Sequence, residues 1–170
     1  TIQTYDLNRV ITFHSRVKRA DEFANGFREF LNVMKPEFKP TGVVTYKHVS
    51  GEMPTSQRSR YLREMRELAN EDRYLLANCR CLSEGVDVPA LDGVAFLDPK
   101  NAEVDIVQAV GRVMRRDRTR VQKKSGTIVI PIFISDEDDV DKALKASNFS
   151  TVWKVVRALR SHDEVLGQEL

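Results

Sequence analysis

Four residues in one short run could do chemistry together: Gln108, Gly111, Arg112 and Arg115, within Gln108-Ala109-Val110-Gly111-Arg112-Val113-Met114-Arg115-Arg116. At about 100° per residue the run reads as a helix. Ile106, Val107, Val110, Val113 and Met114 then gather on a side that can dock on a sheet. Gln108, Gly111, Arg112 and Arg115 gather opposite. Two guanidinium groups on a docked helix suit a polyphosphate, because each grips oxygens with a fixed fork of donors. Glycine inside a helix costs about 1 kcal/mol against alanine; what Gly111 provides is room for a close approach between the arginines. A solvated face of ordinary surface arginines would give the same short pattern.

The elements that must position this helix alternate along the chain. Arg9 to His14 reads as a strand, followed by a Ser15-Arg16 loop and a helix with Ala20, Phe23, Ala24, Phe27, Leu31 and Met34 at helical spacing, closed by Pro36. Gly42 to Tyr46 reads as a second strand and His48 to Pro54 as a loop. Thr55 or Ser56 is expected to cap the next helix, with Tyr61, Leu62, Met65, Leu68 and Ala69 as its core face; on its wet face Arg60 with Glu64 and Arg63 with Glu67 stand four apart. Arg73 to Cys79 is a third strand, apolar enough to be covered on both faces. After the Leu82 to Pro89 turn come a fourth strand, Gly93 to Leu97, the arginine helix, and a fifth strand, Thr127 to Ile130, which Pro131 marks as an edge or a bend. Strands alternating with long helices predict an α/β fold, an open parallel sheet with helices on both faces. Ligands of such sheets bind beyond the carboxyl ends of the strands, where Ser15-Arg16, Ser50-Gly51 and Glu84 to Asp87 are expected. The division expected is residues 1–135 as this lobe and 136–170 as a helical extension. Its stripe of Phe149, Val152, Trp153, Val156 and Leu159 fits a helix that covers the sheet, with a linker to a further domain as the alternative.

Composition narrows the class. Of 170 residues, 41% are hydrophobic and 31% charged, as in ordinary globular proteins, and the net charge is only +2. No apolar run is long enough to span a bilayer, so a membrane partner is not expected and a cytoplasmic location is. The chain opens Thr-Ile-Gln without Met, as a piece of a longer protein would. Basic residues crowd Arg112 to Lys124, either to meet phosphates or simply as a solvated loop. Cys79 and Cys81, two apart on a strand, are expected on one face as reduced thiols, since no second pair completes a zinc site. His14 and His48 are expected as hydrogen-bonded structural residues, and His162 as a solvated one.

What is missing is as informative. There is no glycine-rich loop with Lys and Ser/Thr, no G-x-G-x-x-G, and no Asp-Glu pair at a strand end to hold magnesium. A chain with arginines fit for a triphosphate but no cradle for one reads as half of a composite site.

Three segments carry a family resemblance. Gln108 to Arg115 resembles the sixth helicase motif, Q/H-x-x-G-R-x-x-R; Leu82 to Pro89 resembles the fifth; Val10 to Ser15 resembles the fourth. In this order and spacing they resemble the second, C-terminal RecA-like lobe of superfamily-two DEAD/DEAH-type helicases, over about residues 9 to 134. The run Arg80 to Pro89 is most similar to restriction-type helicases and translocases. The resemblance implies that Arg112 and Arg115 reach the γ-phosphate of an ATP held, with Mg2+, by an N-terminal RecA-like lobe of the same polypeptide. It implies that Gln108 positions the nucleotide or a water, and that Glu84, Gly85 and Asp87 line the nucleotide side. It also implies that Ser15, Arg16, Ser50, Gly51 and Arg116 lie near a nucleic-acid backbone, DNA rather than RNA by preference. The family pattern is not followed everywhere. Cys79 and Arg80 stand where many DEAD-box proteins have Thr and Asp, and Gln108 replaces their His; these departures argue against a DEAD-box RNA protein. Asp87 and Gly85 could equally be simple turn residues. The competing readings are a non-enzymatic α/β nucleic-acid-binding module and a small-ligand enzyme on a flavodoxin-like sheet.

Overall fold

The computed structural model describes residues 2, 4–69, 71–79, 81–82, 91–114, 126–132, 134 and 139–162. Within them the chain forms β1 (Arg9–Phe13), α1 (Val17–Val33), a 3-10 turn (Pro36–Phe38), β2 (Val44–Ser50), α2 (Thr55–Arg66), β3 (Arg73–Cys79), β4 (Gly93–Phe96), α3 (Glu103–Met114), β5 (Thr127–Val129), α4 (Val140–Ala146) and α5 (Ser150–His162). The strands make one five-stranded sheet in the order β2-β3-β1-β4-β5. Every pairing is parallel.

Period-two alternation sorts the strands onto two faces. Val10, Leu75, Ala77 and Cys79 meet α1 through Ala20, Ala24 and Phe27. Ile11, Phe13, Leu76, Val94 and Phe96 point the other way, into a larger core closed by α2, α3 and α5. The open parallel sheet with helices on both faces is therefore the fold observed, and β3 is buried along its whole length. The bottom of the sheet is pinned by polar groups. The Asp92 carboxylate accepts from the backbone amides of Asn8 and Arg9, at 3.2 and 2.8 Å. The buried Arg9 guanidinium donates to carbonyls at and just beyond the end of α2, those of Met65 (2.8 Å), Arg66 (3.2 Å) and Leu68 (3.1 Å).

Four local expectations need correction. First, β2 does not end at Tyr46 but continues to Ser50, paired with β3 up to Ser50 opposite Cys79. Lys47 and His48 are tolerated because β2 is an edge strand and each finds a partner: Lys47 Nζ lies 5.7 Å from the centre of the Tyr61 ring, and His48 Nδ1 lies 3.0 Å from Asp21. Second, the first helix ends at Val33 with Met34 at its cap rather than within it; Pro36, two residues after the cap, closes it as expected and opens a 3-10 turn. Third, Cys79 and Cys81 do not share a face. The strand ends at Cys79, which packs with Ala20 and Ala24, while the chain turns and Cys81 packs against the opposite core. Both are free thiols, and burial pushes that of Cys81 up to about 11. Fourth, Thr55 is the first residue of α2 and no side chain caps it; Pro54 stands at the cap position. Pro131 does mark an edge, since β5 is the last strand and stops at Val129.

The C-terminal stripe covers the sheet. Val152, Trp153, Val155 and Val156 are buried in the same core as α3. Each side chain of this size contributes about 1.5–3 kcal/mol when fully buried, which offsets the entropy of ordering α5 against the core.

Candidate functional site

α3 sits with Ile106, Ala109, Val110 and Val113 in the core. Val107 and Met114, expected on the docked side, are instead 44% and 37% exposed. The buried arc is centred on Ile106 and Val113, so residues about 90° away fall on its rim, and small Ala109 takes the place they would have filled. The opposite side carries the residues singled out for chemistry. Gly111 is exposed, and a β-carbon there would meet nothing within 4 Å. Arg112, half-exposed, donates through Nη1 to the carbonyl of Leu82. Gln108 is half-buried, and its amide oxygen is buried with no hydrogen-bond partner among the described residues. Arg115 and Arg116, and Glu84, Gly85 and Asp87, lie outside the described residues.

A second constellation stands at the carboxyl ends of β1, β2 and β3. Ser15, Arg16, Val17, Gly51, Glu52 and Cys79 line an open cleft of about 380 Å3. Three residues expected near a nucleic-acid backbone, Ser15, Arg16 and Gly51, thus share one concave surface. Ser50 does not lie in a loop as expected; it is the last residue of β2 and buried, directly before the exposed Gly51. The helices α1 and α2 both begin beside the cleft, with no side-chain cap and no acid in the first turn. The first residue of α1, Val17, is part of the cleft lining, so uncapped amides at the positive end of that helix stand at the cleft, with the Glu52 carboxylate as the acid in the same lining.

The central position of β1 fixes the cleft. On one side the backbone N–H of His14 donates to the Asn78 carbonyl at 2.9 Å. On the other, Asp98, just after β4, accepts from Ser15 twice, from N–H at 2.8 Å and from Oγ at 2.9 Å. Its second oxygen accepts from Arg19. Burial alone would raise the Asp98 carboxyl, but the two Ser15 bonds and the Arg19 guanidinium outweigh it and hold the group below its ordinary value. His14 is pushed the other way relative to its charge: burial lowers its pKa below 6.5, Arg19 adds to this, and Asp98 only partly offsets it. Its Nε2 lies 2.8 Å from Thr12 Oγ1, and His48 Nδ1 lies 3.0 Å from Asp21, so both rings have hydrogen-bonding partners as expected. Lys100, two residues beyond Asp98, pairs with Asp105 of α3 at 3.0 Å and lies over the Phe13 ring.

Asp98, Arg19 and Lys100 are the contributors that sequence reasoning missed. Asp98-Pro99 read only as the end of a strand. Its importance comes from β4 lying beside β1, and a strand order is not written in any local spacing.

The two constellations lie toward different ends of the sheet. α3 follows β4 and precedes β5, both parallel to β1, so it runs back from the carboxyl to the amino end. Arg112 is in its last turn, and Val113 packs beside Gly126, directly before β5. Among the described residues no group of His, Cys, Asp and Glu could hold a metal ion, and no helix is long and apolar enough to cross a membrane.

A parallel α/β sheet in the order 2-3-1-4-5, an arginine helix on one face and an open cleft at the carboxyl ends together define a RecA-like lobe. The chain belongs to the family of the helicase conserved C-terminal domain, whose model matches residues 2–117. Its structure is similar to the ATP-dependent Type ISP restriction-modification enzyme LlaBIII bound to DNA, with 34% identity and a TM-score of 0.72 over 93% of this chain and 10% of that one. It is 32% identical over 95 residues to the probable helicase A859L of African swine fever virus, isolate Pig/Kenya/KEN-50/1950, covering 56% of this chain. The chain spans about a tenth of the length of the curated viral relatives it matches, 10% of each. The C-terminal domain of the DEAD-box protein Dbp5 has the same fold at 16% identity, with a TM-score of 0.58 over 94% of this chain.

Proposed function

We propose that this chain is the C-terminal motor lobe of an ATP-dependent DNA helicase or translocase. In this reading it supplies arginines to a nucleotide held by an N-terminal lobe and one wall of the nucleic-acid track. The observation that carries the proposal is the exposed side of α3. Arg112 stands there beside the open surface of Gly111, and Gln108 holds a buried amide oxygen with no partner among the described residues. A guanidinium fork fits a phosphate, and an orphaned acceptor fits a donor that arrives with a ligand. ATP, when bound, supplies the phosphoryl group that is transferred to water. Arg112, with Arg115, steadies negative charge at that group, and Gln108 accepts a proton-bearing donor beside it. The described residues hold no group of carboxylates or imidazoles fit for a metal ion; on this reading the N-terminal lobe holds Mg2+ together with the phosphates.

On this reading Arg16, Ser15, Gly51 and the first amides of α1 face the phosphate backbone. Restriction-enzyme likeness at 34% identity favours DNA as the polymer; RNA is the other outcome of a direct comparison of the two.

Titration calorimetry of this chain with magnesium and a non-hydrolysable ATP analogue tests the half-site. The expected result is at most very weak binding, because arginines without a phosphate cradle contribute little alone. A single micromolar site would mean the chain carries its own nucleotide pocket. ATPase activity stimulated by DNA should appear only when a lobe with a glycine-rich Lys-Ser/Thr loop is present in the same polypeptide. Tight sequence-selective DNA binding by this chain alone would favour the non-enzymatic binding module instead.

A further inference from the structure

We infer that Asp98 is the positioning residue of the cleft, acting through Ser15 and Arg19 to leave Arg16 as the cation presented to a phosphate backbone. The inference rests on reading the cleft as a nucleic-acid surface. Three basic residues open this region, Arg16, Lys18 and Arg19, and only one lines the cleft. Lys18 pairs with Glu22 at 3.7 Å on the outer side of α1. Arg19 pairs with Asp98. Arg16 is exposed, lines the cleft, and forms no ion pair among the described residues.

Asp98 is buried, and both its oxygens are engaged by this one loop. A buried carboxylate with three donors holds them in one geometry, because releasing any of them leaves a charge poorly satisfied in a low dielectric. The donors flank Arg16 in the chain: Ser15 stands directly before it and Arg19 three residues after. The direction in which Arg16 leaves the backbone is thereby set from both sides. No carboxylate on β1 or α1 supplies this; it comes from the neighbouring strand, in the loop that leads to α3.

The test exploits a sign. Removing a carboxylate beside a polyanion track raises affinity if charge is all that matters. Positioning predicts a fall. Arg19→Ala serves as the reference background, so that no freed guanidinium confuses the reading. Binding of this chain to a labelled 20-base-pair DNA duplex is measured by fluorescence anisotropy across a salt series. In that background Asp98→Ala should lower affinity about threefold to tenfold and flatten the slope of log affinity against log salt by up to about 0.9, the loss of one phosphate contact on duplex DNA. Arg16→Ala should do the same, and the two together should cost little more than either. Asp98→Asn keeps an acceptor oxygen for Ser15 and should hold affinity at or above the reference. Asp98→Ser, which cannot reach both Ser15 donors, carries the same expectation as Asp98→Ala and replaces it if that variant does not fold. Affinity that rises or stays level in Asp98→Ala or Asp98→Ser, or losses that simply add to those of Arg16→Ala, would overturn the assignment of Asp98 alone. If Arg16→Ala changes neither affinity nor slope, the cleft is not the track and both readings fall.

Discussion

Replacing Arg112 by Ala separates a structural arginine from a catalytic one. Two costs follow, and they differ in size and in kind. Locally, the variant loses the bond from Arg112 to the Leu82 carbonyl. A hydrogen bond to a charged group is worth about 1.5–3 kcal/mol when buried. Arg112 is half-exposed, and solvent screening reduces this to about 1 kcal/mol, which in a domain of this size lowers Tm by about 2–4 °C. Catalytically, an arginine that meets charge developing at the transferred phosphoryl is worth about 10^3-fold or more in rate, or about 4 kcal/mol of barrier. The assay is steady-state ATP hydrolysis with saturating DNA, in a polypeptide carrying both lobes, beside a thermal melt of the same protein. The expected result is kcat down by about three orders of magnitude with KM within a few fold, because the interaction is strongest in the transition state. Arg112→Lys keeps the charge without the fork and should fall between. A raised KM at unchanged kcat would refute the reasoning, since it would mean that Arg112 merely binds nucleotide. A rate that falls only in proportion to a large loss of Tm would assign Arg112 to the Leu82 contact instead.

Two further outcomes test the frame around the site. Gly126→Ala would place a β-carbon 2.2 Å from Val113 Cγ1 and 2.8 Å from the Val113 carbonyl oxygen, so it should destabilise by about 1–3 kcal/mol; an unchanged melting temperature would mean that α3 does not close against the entry to β5. His14, whose pKa burial lowers below 6.5, binds fewer protons folded than unfolded near that pH, so stability should fall as pH drops through 6.5. His14→Gln should flatten that part of a pH series of urea melts, and an unaltered pH dependence would count against the buried neutral ring.

The sheet was legible because its signals are local. β3 is apolar over its whole length and β1 is short and apolar, and both lie where the pattern put them. The arginine helix was legible for the same reason, although its rotation was not. Val107 and Met114 are as apolar as Val110, and only the packing of α3 against the rest of the core selects Ala109 over them. The end of β2 was misread because Lys47, His48 and Ser50 look like loop residues. What makes them a strand is seven residues of β3 alongside and partners supplied by α1 and α2. In the cleft, Ser15, Arg16 and Gly51 could be named from their place after strands, as could Ser50, which proved to be buried in β2. Asp98 could not be named, because its role exists only once β4 has been laid beside β1.

The separation of the two constellations constrains how such a lobe could work. Between the cleft and Arg112 lies a close-packed core, with Ile11, Leu76, Val94, Phe96, Ile106, Val110 and Val113 all at 0% or 1% exposure. Interiors packed to this density resist internal deformation. The segment that leaves β4 strengthens the point: Asp98 holds the start of α1, and two residues later Lys100 holds Asp105 in the first turn of α3. The cleft and the arginine helix are thus tied to one frame at its carboxyl end. On the proposed reading, a nucleotide that draws Arg112 toward a partner lobe moves the cleft with it as a rigid body. The displacement along a nucleic acid then arises between lobes, not within this one. A ligand that binds the closed pair more tightly than the open pair is sufficient to drive that motion, and the free energy available is its difference in affinity for the two states.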